Sequence, residues 1–331
     1  MAERYPLSRE TWSFGKAERS RGQERWGMIL AGGDGVRLRS LTRRIMGDER
    51  PKQFCRIFGE KTLLEQTTRR TAITVSPDRT LVAVTRAHEA FYTPLLSHTP
   101  SRYVVVQPEN RGTAPAILYS LLRIAAAAPT GSVGIFPSDH YVSNDGAFMV
   151  HVEAAFEALD KRPELVILLG INPESPEVEY GWIEPADPVL GGNGQPLFRV
   201  RRFWEKPPLA LARTLLAAGC LWNSFVIVAR VPALLTLIEN TIPDLYQAFD
   251  GARSTLNTLG EVEAIRKLYS QIPSSNFSQE VLAAHPANLA VLPVRGVSWS
   301  DLGEPNRVMV SLARIGVQPE WASLKVTHSA A

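Results

Sequence analysis

An apolar run at Trp26–Leu30 leads straight into Leu30-Ala31-Gly32-Gly33-Asp34-Gly35-Val36-Arg37-Leu38. Adjacent glycines after a strand let the backbone approach a ligand closely and aim amide groups at phosphate oxygens. Neither familiar phosphate loop fits. The dinucleotide fingerprint needs a third glycine opening a helix, where Leu38 and Arg39 stand, and a Walker loop needs Gly-Lys-Ser/Thr. A long basic loop follows instead, from Gly32 to Gln53. It sets Arg37, Arg39, Arg43, Arg44, Arg50 and Lys52 against Asp34, Asp48 and Glu49, and closes in Pro51-Lys52-Gln53-Phe54. Such a loop suits a triphosphate, whose charge must be neutralised before an anionic nucleophile can approach. Taken alone, Gly-Gly-x-Gly is equally a solvated turn with surface arginines.

Further strand ends carry candidates. Gln107-Pro108 precedes Glu109-Asn110-Arg111-Gly112-Thr113-Ala114-Pro115. The Gln107 amide can read a base edge, and Gly112 lets a flat base lie against backbone. The same stretch also reads as a polar strand end with Thr113 capping a helix and Pro115 in its first turn. Phe136-Pro137-Ser138-Asp139-His140 places a carboxylate where magnesium, which takes few carboxylates plus substrate phosphates, finds a ligand. A turn cap is the plainer role for Asp139. No two of the six histidines stand at metal-ligand spacing, so no zinc site is expected. Glu205 and Asn223, in Trp204-Glu205-Lys206-Pro207 and Trp222-Asn223-Ser224, suit sugar hydroxyls, and Lys206 supplies a point charge for a monophosphate. Tyr180-Gly181 stands nearby in sequence. Trp299-Ser300-Asp301-Leu302-Gly303 adds a second isolated aspartate beside a glycine, in what is otherwise an ordinary turn.

The elements that must position these residues alternate. Trp26–Leu30, Leu81–Val84, Tyr103–Val106, Val133–Phe136 and Leu165–Leu169 read as buried strands. Leu63–Ala72, Ala87–Leu96, Ala114–Ala126 and Ala147–Leu159 read as helices, the first with a capping box formed by Thr62 and Glu65. That rhythm predicts an α/β fold with a mainly parallel, Rossmann-like sheet and helices on both faces. Ligands then sit beyond the carboxyl ends of the strands. Past Gly170 the rhythm loosens. Tyr180–Lys206 reads as a long hairpin or meander carrying Gly191, Gly192 and Gly194, followed by a helix at Leu209–Ala218, strands at Phe225–Ala229 and Leu289–Val294, and a closing helix at Pro305–Ile315. Residues 1–25 are polar and aperiodic and read as a flexible arm.

Composition bounds the function. The 331 residues, 45% hydrophobic and 21% charged, suffice for one large α/β domain with a smaller appendage. A net charge of +3 points to neither nucleic acid nor an anionic membrane. Cys55 and Cys220 are too few for a disulfide scaffold and suit a reducing compartment. No apolar run spans a bilayer and the N-terminus lacks a signal-peptide pattern, so a soluble cytoplasmic protein is expected.

Read in order, the motifs resemble the nucleotidyltransferases that activate hexose-1-phosphates, and most closely the mannose-1-phosphate guanylyltransferases. The resemblance runs from Trp26 to about Met309. It rests on Leu-Ala-Gly-Gly-x-Gly-x-Arg-Leu, Pro-Lys-Gln-Phe, Arg-x-Thr-Ala-Pro-Ala, Pro-Ser-Asp-His, Tyr-Gly, Glu-Lys-Pro, Trp-Asn-Ser and Trp-Ser-Asp-x-Gly. It implies a sugar-nucleotide transferase fold over residues 26–315, with a nucleotide-binding part at about 26–170, a sugar-binding part at about 171–315, and a tail at 316–331. It also implies that Leu30, Gly32, Gly33 and Gly35 meet nucleoside and phosphates, that Arg37 and Lys52 hold the triphosphate, and that Gln107 and Gly112 lie at the base. Asp139 and Asp301 would hold Mg2+. Gly181, Glu205 and Asn223 would meet the sugar, and Lys206 its phosphate.

Several positions depart from the pattern. Arg39-Ser40 stand where Trp-Pro is usual, Gly112 replaces an asparagine, and Gln107 stands where an acid is common. Phe225-Val226 follow Trp-Asn-Ser in place of Gly-Met-Phe, and Ser274-Ser275-Asn276-Phe277-Ser278 replaces Ser-x-Asp-Tyr-Ala. The chain ends soon after Ile315, so no isomerase- or acyltransferase-like extension is expected. The reaction implied is transfer of a nucleoside monophosphate from an NTP, preferably GTP, to a hexose-1-phosphate, preferably mannose-1-phosphate, giving GDP-mannose and pyrophosphate. Gln107 and Gly112 keep a glucose-1-phosphate thymidylyl- or uridylyltransferase as the alternative, and a catalytically silent sugar-nucleotide sensor is the non-enzymatic one. The partners are small molecules, with neither nucleic acid nor membrane among them, and a homo-oligomer is compatible with all of this.

Overall fold

A computed structural model describes residues 24–189 and 195–323. The arm expected at residues 1–25 therefore lies almost wholly outside the described residues, as do the hairpin glycines Gly191, Gly192 and Gly194 and residues 324–331 of the tail. The strands are β1 (Arg25–Leu30), β2 (Thr80–Thr85), β3 (Val104–Gln107), β4 (Ser132–Pro137), β5 (Tyr141–Val142), β6 (Val166–Ile171), β7 (Gly181–Val189), β8 (Leu197–Glu205), β9 (Leu221–Arg230), β10 (Leu289–Val294) and β11 (Trp299–Ser300). The helices used below are α1 (Arg39–Met46), α2 (Leu63–Thr71), α3 (Glu89–Leu95), α4 (Thr113–Ala127), α5 (Asp145–Lys161), α6 (Leu209–Ala217), α7 (Val231–Thr241), α8 (Pro243–Asp250), α9 (Glu261–Tyr269) and α10 (Pro305–Arg314).

Nine strands form one sheet in the order β3-β2-β1-β4-β9-β6-β10-β8-β7. β1, β2, β3 and β4 are mutually parallel, and β6 pairs parallel with β10; β8 and β9 run against their neighbours. β7 also returns to β9, pairing with Leu221 and Trp222, while β4 pairs with Ile227–Arg230. β7 thus takes over the edge of β9 that β4 vacates, and the hairpin starts where the parallel strands end.

Side chains alternate between the two faces of each buried strand, with period two. Met28, Ile135, Ile227 and Val291 join the core under α4, α7, α8 and α9. Ile29, Phe136, Ile167 and Val228 join the core under α2, α5 and α6. Both faces are covered, as the strand–helix alternation predicts. The capping box at α2 is present: Thr62 Oγ1 accepts from the Glu65 amide, and the Glu65 carboxylate accepts from the Thr62 amide at 2.8 Å.

Three local expectations are corrected. The basic stretch Gly32–Gln53 is not all loop: it holds α1, whose Leu41 and Thr42 are buried. Thr113 is not a helix cap. Gly112 occupies that place, and the Thr113 hydroxyl accepts from the Phe277 amide at 2.9 Å. The strand expected at Phe225–Ala229 begins at Leu221, so Trp222-Asn223-Ser224 belongs to β9. The register breaks between Leu168↔Ile227 and Gly170↔Asn223, leaving β9 with a bulge at Ser224–Val226. The Ser224 hydroxyl stitches this bulge by donating to the Leu169 carbonyl.

Gly112 joins two distant segments. Its backbone lies at φ 86, ψ −173, a region nearly reserved for glycine. A Cβ there would sit 2.4 Å from the Ser275 carbonyl oxygen. That carbonyl accepts from the Ala114 amide, and the Ser275 amide donates to the Arg111 carbonyl. Gly112→Ala should therefore cost about 3 kcal/mol of unfolding free energy, strain and clash together. Gly59→Ala, at φ 98 in open space, should cost less, since only strain acts there. Urea titration of both variants checks the ordering; equal costs would show that the Ser275 contact contributes nothing.

Candidate functional site

The chemistry-bearing residues gather beyond the carboxyl ends of β1, β3 and β4, where open α/β sheets place ligands. A cavity of about 390 Å³ is lined by Leu30, Gly32, Gly33, Gln107, Gly112, Asp139, Gly181, Glu205, Asn223 and Asp301. A smaller one of about 260 Å³ shares Asp139 and adds Gly35, Arg37 and Lys52. Of the residues expected from sequence, Lys206 alone lines neither. A larger cavity, about 710 Å³, opens among α7, α8 and α9 and carries none of them.

Asp139 and Asp301 are far apart in sequence. They meet because the two-residue strands flanking them pair antiparallel, with Tyr141 opposite Ser300 and Val142 opposite Trp299. Lys52 closes the arrangement. Its ammonium is buried and lies 3.3 Å from Asp139 Oδ2, while it donates to the main-chain carbonyls of Asp301 and Leu302. An ammonium has three donors, so all of them are engaged. The sequence expectation placed Lys52 on a triphosphate; here it ties the two aspartate turns together.

Asp301 Oδ1 accepts from the Gly303 amide at 2.8 Å, Arg307 Nη1 at 2.9 Å and the Tyr180 hydroxyl at 3.1 Å. Burial pushes the Asp301 carboxyl up, but Lys52, His140 and Arg307 together with the Gly303 amide outweigh it and hold the pKa below the ordinary value. Arg307 is fixed in turn by Glu177 at 2.9 Å and lies over the Tyr180 ring. His140 stands 3.6 Å from Asp139 and edge-on to Trp299; burial lowers its pKa against the opposing pull of Asp139.

The glycine loop is held from behind. Gln53 Nε2 donates to the Ala31 and Gly33 carbonyls, and Thr85 Oγ1 to the Gly32 carbonyl. A Cβ on Gly32 would lie 2.6 Å from Gln107 Nε2 and 2.8 Å from Thr85 Oγ1, so any larger residue would have to displace both side chains. Gln107 is buried: its Oε1 accepts from the Tyr269 hydroxyl at 3.3 Å and its Nε2 reaches the Val84 carbonyl. Asp34 fastens the loop laterally, accepting from Asn110 Nδ2 at 2.7 Å with His88 at 3.1 Å.

On the far wall, a Cβ on Gly181 would lie 3.0 Å from Glu205 Oε2 and 3.3 Å from Asn223 Cβ. Burial raises the Glu205 pKa, offset by Lys206. Asn223 Oδ1 accepts from the Phe225 amide. Three non-glycine residues at this end hold positive φ: Lys206 (47), Phe225 (59) and Leu302 (50). Such strain persists only where surroundings enforce it, and it clusters at functional sites.

Several residues escaped sequence reading. Arg307 stands at the start of a helix, where a basic residue is unremarkable. Glu179, one place before Tyr180-Gly181, binds both Arg37 at 2.9 Å and Lys206 at 3.5 Å through the same oxygen. Asn110 looked like loop polarity, although its place in Glu-Asn-Arg-Gly was a usable signal: its Oδ1 accepts from the Gly112 amide at 3.0 Å.

Comparison with known proteins fits this geometry. The family model described as nucleotidyl transferase matches residues 26–313. The chain is 29% identical over 281 residues to the xanthan biosynthesis protein XanB of Xanthomonas campestris pv. campestris, covering 83% of this chain and 57% of that protein. It is 27% identical over 281 residues to an Escherichia coli mannose-1-phosphate guanylyltransferase, covering 83% and 57%. The chain thus spans little more than half the length of the curated relatives it matches. Among solved structures, a Thermus thermophilus protein named mannose-1-phosphate geranyltransferase superposes with TM-score 0.74 at 28% identity, over 90% of this chain and 80% of that one. A Helicobacter pylori mannose-6-phosphate isomerase shares the fold, with TM-score 0.64 at 21% identity over 84% of this chain and 99% of that one. No helix among the described residues is long and apolar enough to cross a membrane. Matched over most of its length, this chain belongs to the nucleotidyl transferase family.

Proposed function

We propose that this chain transfers a nucleoside monophosphate from an NTP, preferentially GTP, to a hexose-1-phosphate, preferentially mannose-1-phosphate, and releases pyrophosphate. The observation that carries this reading is the convergence of Asp139, Asp301 and Lys52 beside a glycine-lined cavity. The preference for guanine and mannose draws on Pro-Lys-Gln-Phe, on Trp-Asn-Ser and on relatives such as the Escherichia coli mannose-1-phosphate guanylyltransferase. Gly112 carries little weight for another base, because its contact with Ser275 accounts for the glycine without reference to a ligand.

The carboxylates of Asp139 and Asp301 both line the cavity. That set fits magnesium, which completes its shell with phosphate oxygens and water. Asp139 and Asp301 would hold the ion, which when bound neutralises charge on the phosphates. The glycine loop, fixed by Gln53 and Thr85, receives the nucleotide. The sugar-phosphate oxygen attacks the α-phosphorus in line, forming the new P–O bond as the bond to the pyrophosphate oxygen breaks. The nucleophile is already an anion, so no general base is required; positioning and charge neutralisation carry the catalysis. Arg37 and Lys52 lie on the leaving side, Lys206 on the side of the nucleophile, and Glu205 and Asn223 along the sugar wall.

Asp139→Asn should lower turnover by ~10²–10³, as loss of a preorganised charge partner does. Pyrophosphate release over a grid of NTPs and hexose-1-phosphates, with and without magnesium, measures this; near-normal turnover sinks the assignment. The two cations should separate kinetically. Lys206→Ala should raise KM chiefly for the sugar phosphate, and Arg37→Ala chiefly for the NTP, each by roughly tenfold, the scale of one charge-assisted contact. Identical effects on both substrates in both variants would contradict the division of labour.

A further inference from the structure

We propose that Glu179 is a gate on the phosphate site: its carboxylate occupies the position of a substrate phosphate oxygen between Arg37 and Lys206, and an anionic substrate binds by displacing it. The nucleotidyl-transfer reading supplies only the identity of that anion. Arg37 follows the glycine loop and Lys206 follows β8, yet both cations converge on one atom, Glu179 Oε2, at 2.9 and 3.5 Å. Two like charges from separate segments draw together only around an anion. Glu179 also lines the main cavity and Arg37 the smaller one, so the pair bridges the two.

The carboxylate is placed to leave without disturbing the backbone. The Glu179 amide donates to Glu177 Oε1, and the next residue is fixed by Tyr180 on Asp301 and by the Lys206 amide on the Tyr180 carbonyl. Only side-chain torsions need to change. The side chains of Glu179, Arg37 and Lys206 are 35%, 52% and 50% exposed, so an incoming phosphate can reach the pair from solvent. Glu177 cannot take over the role, because Arg307 and two backbone amides already use its Oε1. While the cavity is empty, Glu179 keeps the two cations together; on binding, it yields them to a more highly charged group. It thereby discriminates against weakly charged ligands.

Calorimetric titration of the full chain with inorganic pyrophosphate at low salt tests this. Glu179→Gln should bind pyrophosphate about five- to tenfold more tightly, the scale of two partly exposed ion pairs no longer competing. Glu184→Gln, the same charge change on β7 where Glu184 pairs with Arg201, should leave the affinity unchanged. In an Arg37→Ala background the gain from Glu179→Gln should shrink, because Arg37 is the cation on the pyrophosphate side. With substrates, Glu179→Gln should lower KM without raising kcat. Unchanged or weaker pyrophosphate binding in Glu179→Gln overturns the gate, as does an equal gain in Glu184→Gln. Because the titration needs no turnover, an inactive wild-type chain would strike the transfer reading alone.

Discussion

The buried ammonium of Lys52 is the interaction on which the rest of the site depends. A charge removed from water is costly unless its partners are complete. Lys52 finds them in the Asp139 carboxylate and two carbonyls of the Asp301 turn, so three distant stretches of chain must be in place at once. The small β5–β11 pairing supplies the rigid frame, and the glycine loop is held against it by Gln53. Neutralising Asp139 would leave a cation buried among carbonyls only, which links the integrity of the site to its chemistry.

The second constraint is close backbone approach. Gly32 against Gln107, Gly112 against Ser275 and Gly181 against Glu205 are three places where even a methyl group crowds its neighbour. The first two join segments distant in sequence, and the third joins paired residues of β7 and β8. The positive φ values at Lys206, Phe225 and Leu302 belong to the same ring of tight junctions. Between them, contact and strain fix the walls of the cavity.

Charge is arranged unevenly around this ring. Asp301 is locked in its ionised form by Lys52, Arg307 and the Gly303 amide despite its burial. Arg37 and Lys206, by contrast, are half-exposed and share a carboxylate that a stronger anion can replace. The fixed charges sit deep and the exchangeable ones sit at the rim, an order suited to substrates that enter from solvent and must be aligned before reacting.

The alternation of buried strands and helices, the capping box at Thr62, and the turns carrying Gly32, Asp139 and Asp301 were legible because local chemistry dictates them. Period-two burial, side-chain caps and glycine turns act over a few residues, so sequence alone determined the α/β class and picked out residues that, Lys206 apart, line the two cavities. It failed where a residue's role depends on something far along the chain. That Lys52 also ties down the Asp301 turn was illegible, because its carbonyl partners lie some 250 residues away. Thr113 read as a cap because the Phe277 amide was invisible, and the same distant segment gives Gly112 a packing requirement that its neighbours in sequence do not show. Glu179 was ordinary until two cations met on one of its oxygens. Only the tertiary structure decided these, because the energy of a buried or shared charge is set by which groups surround it, and local sequence does not specify that set.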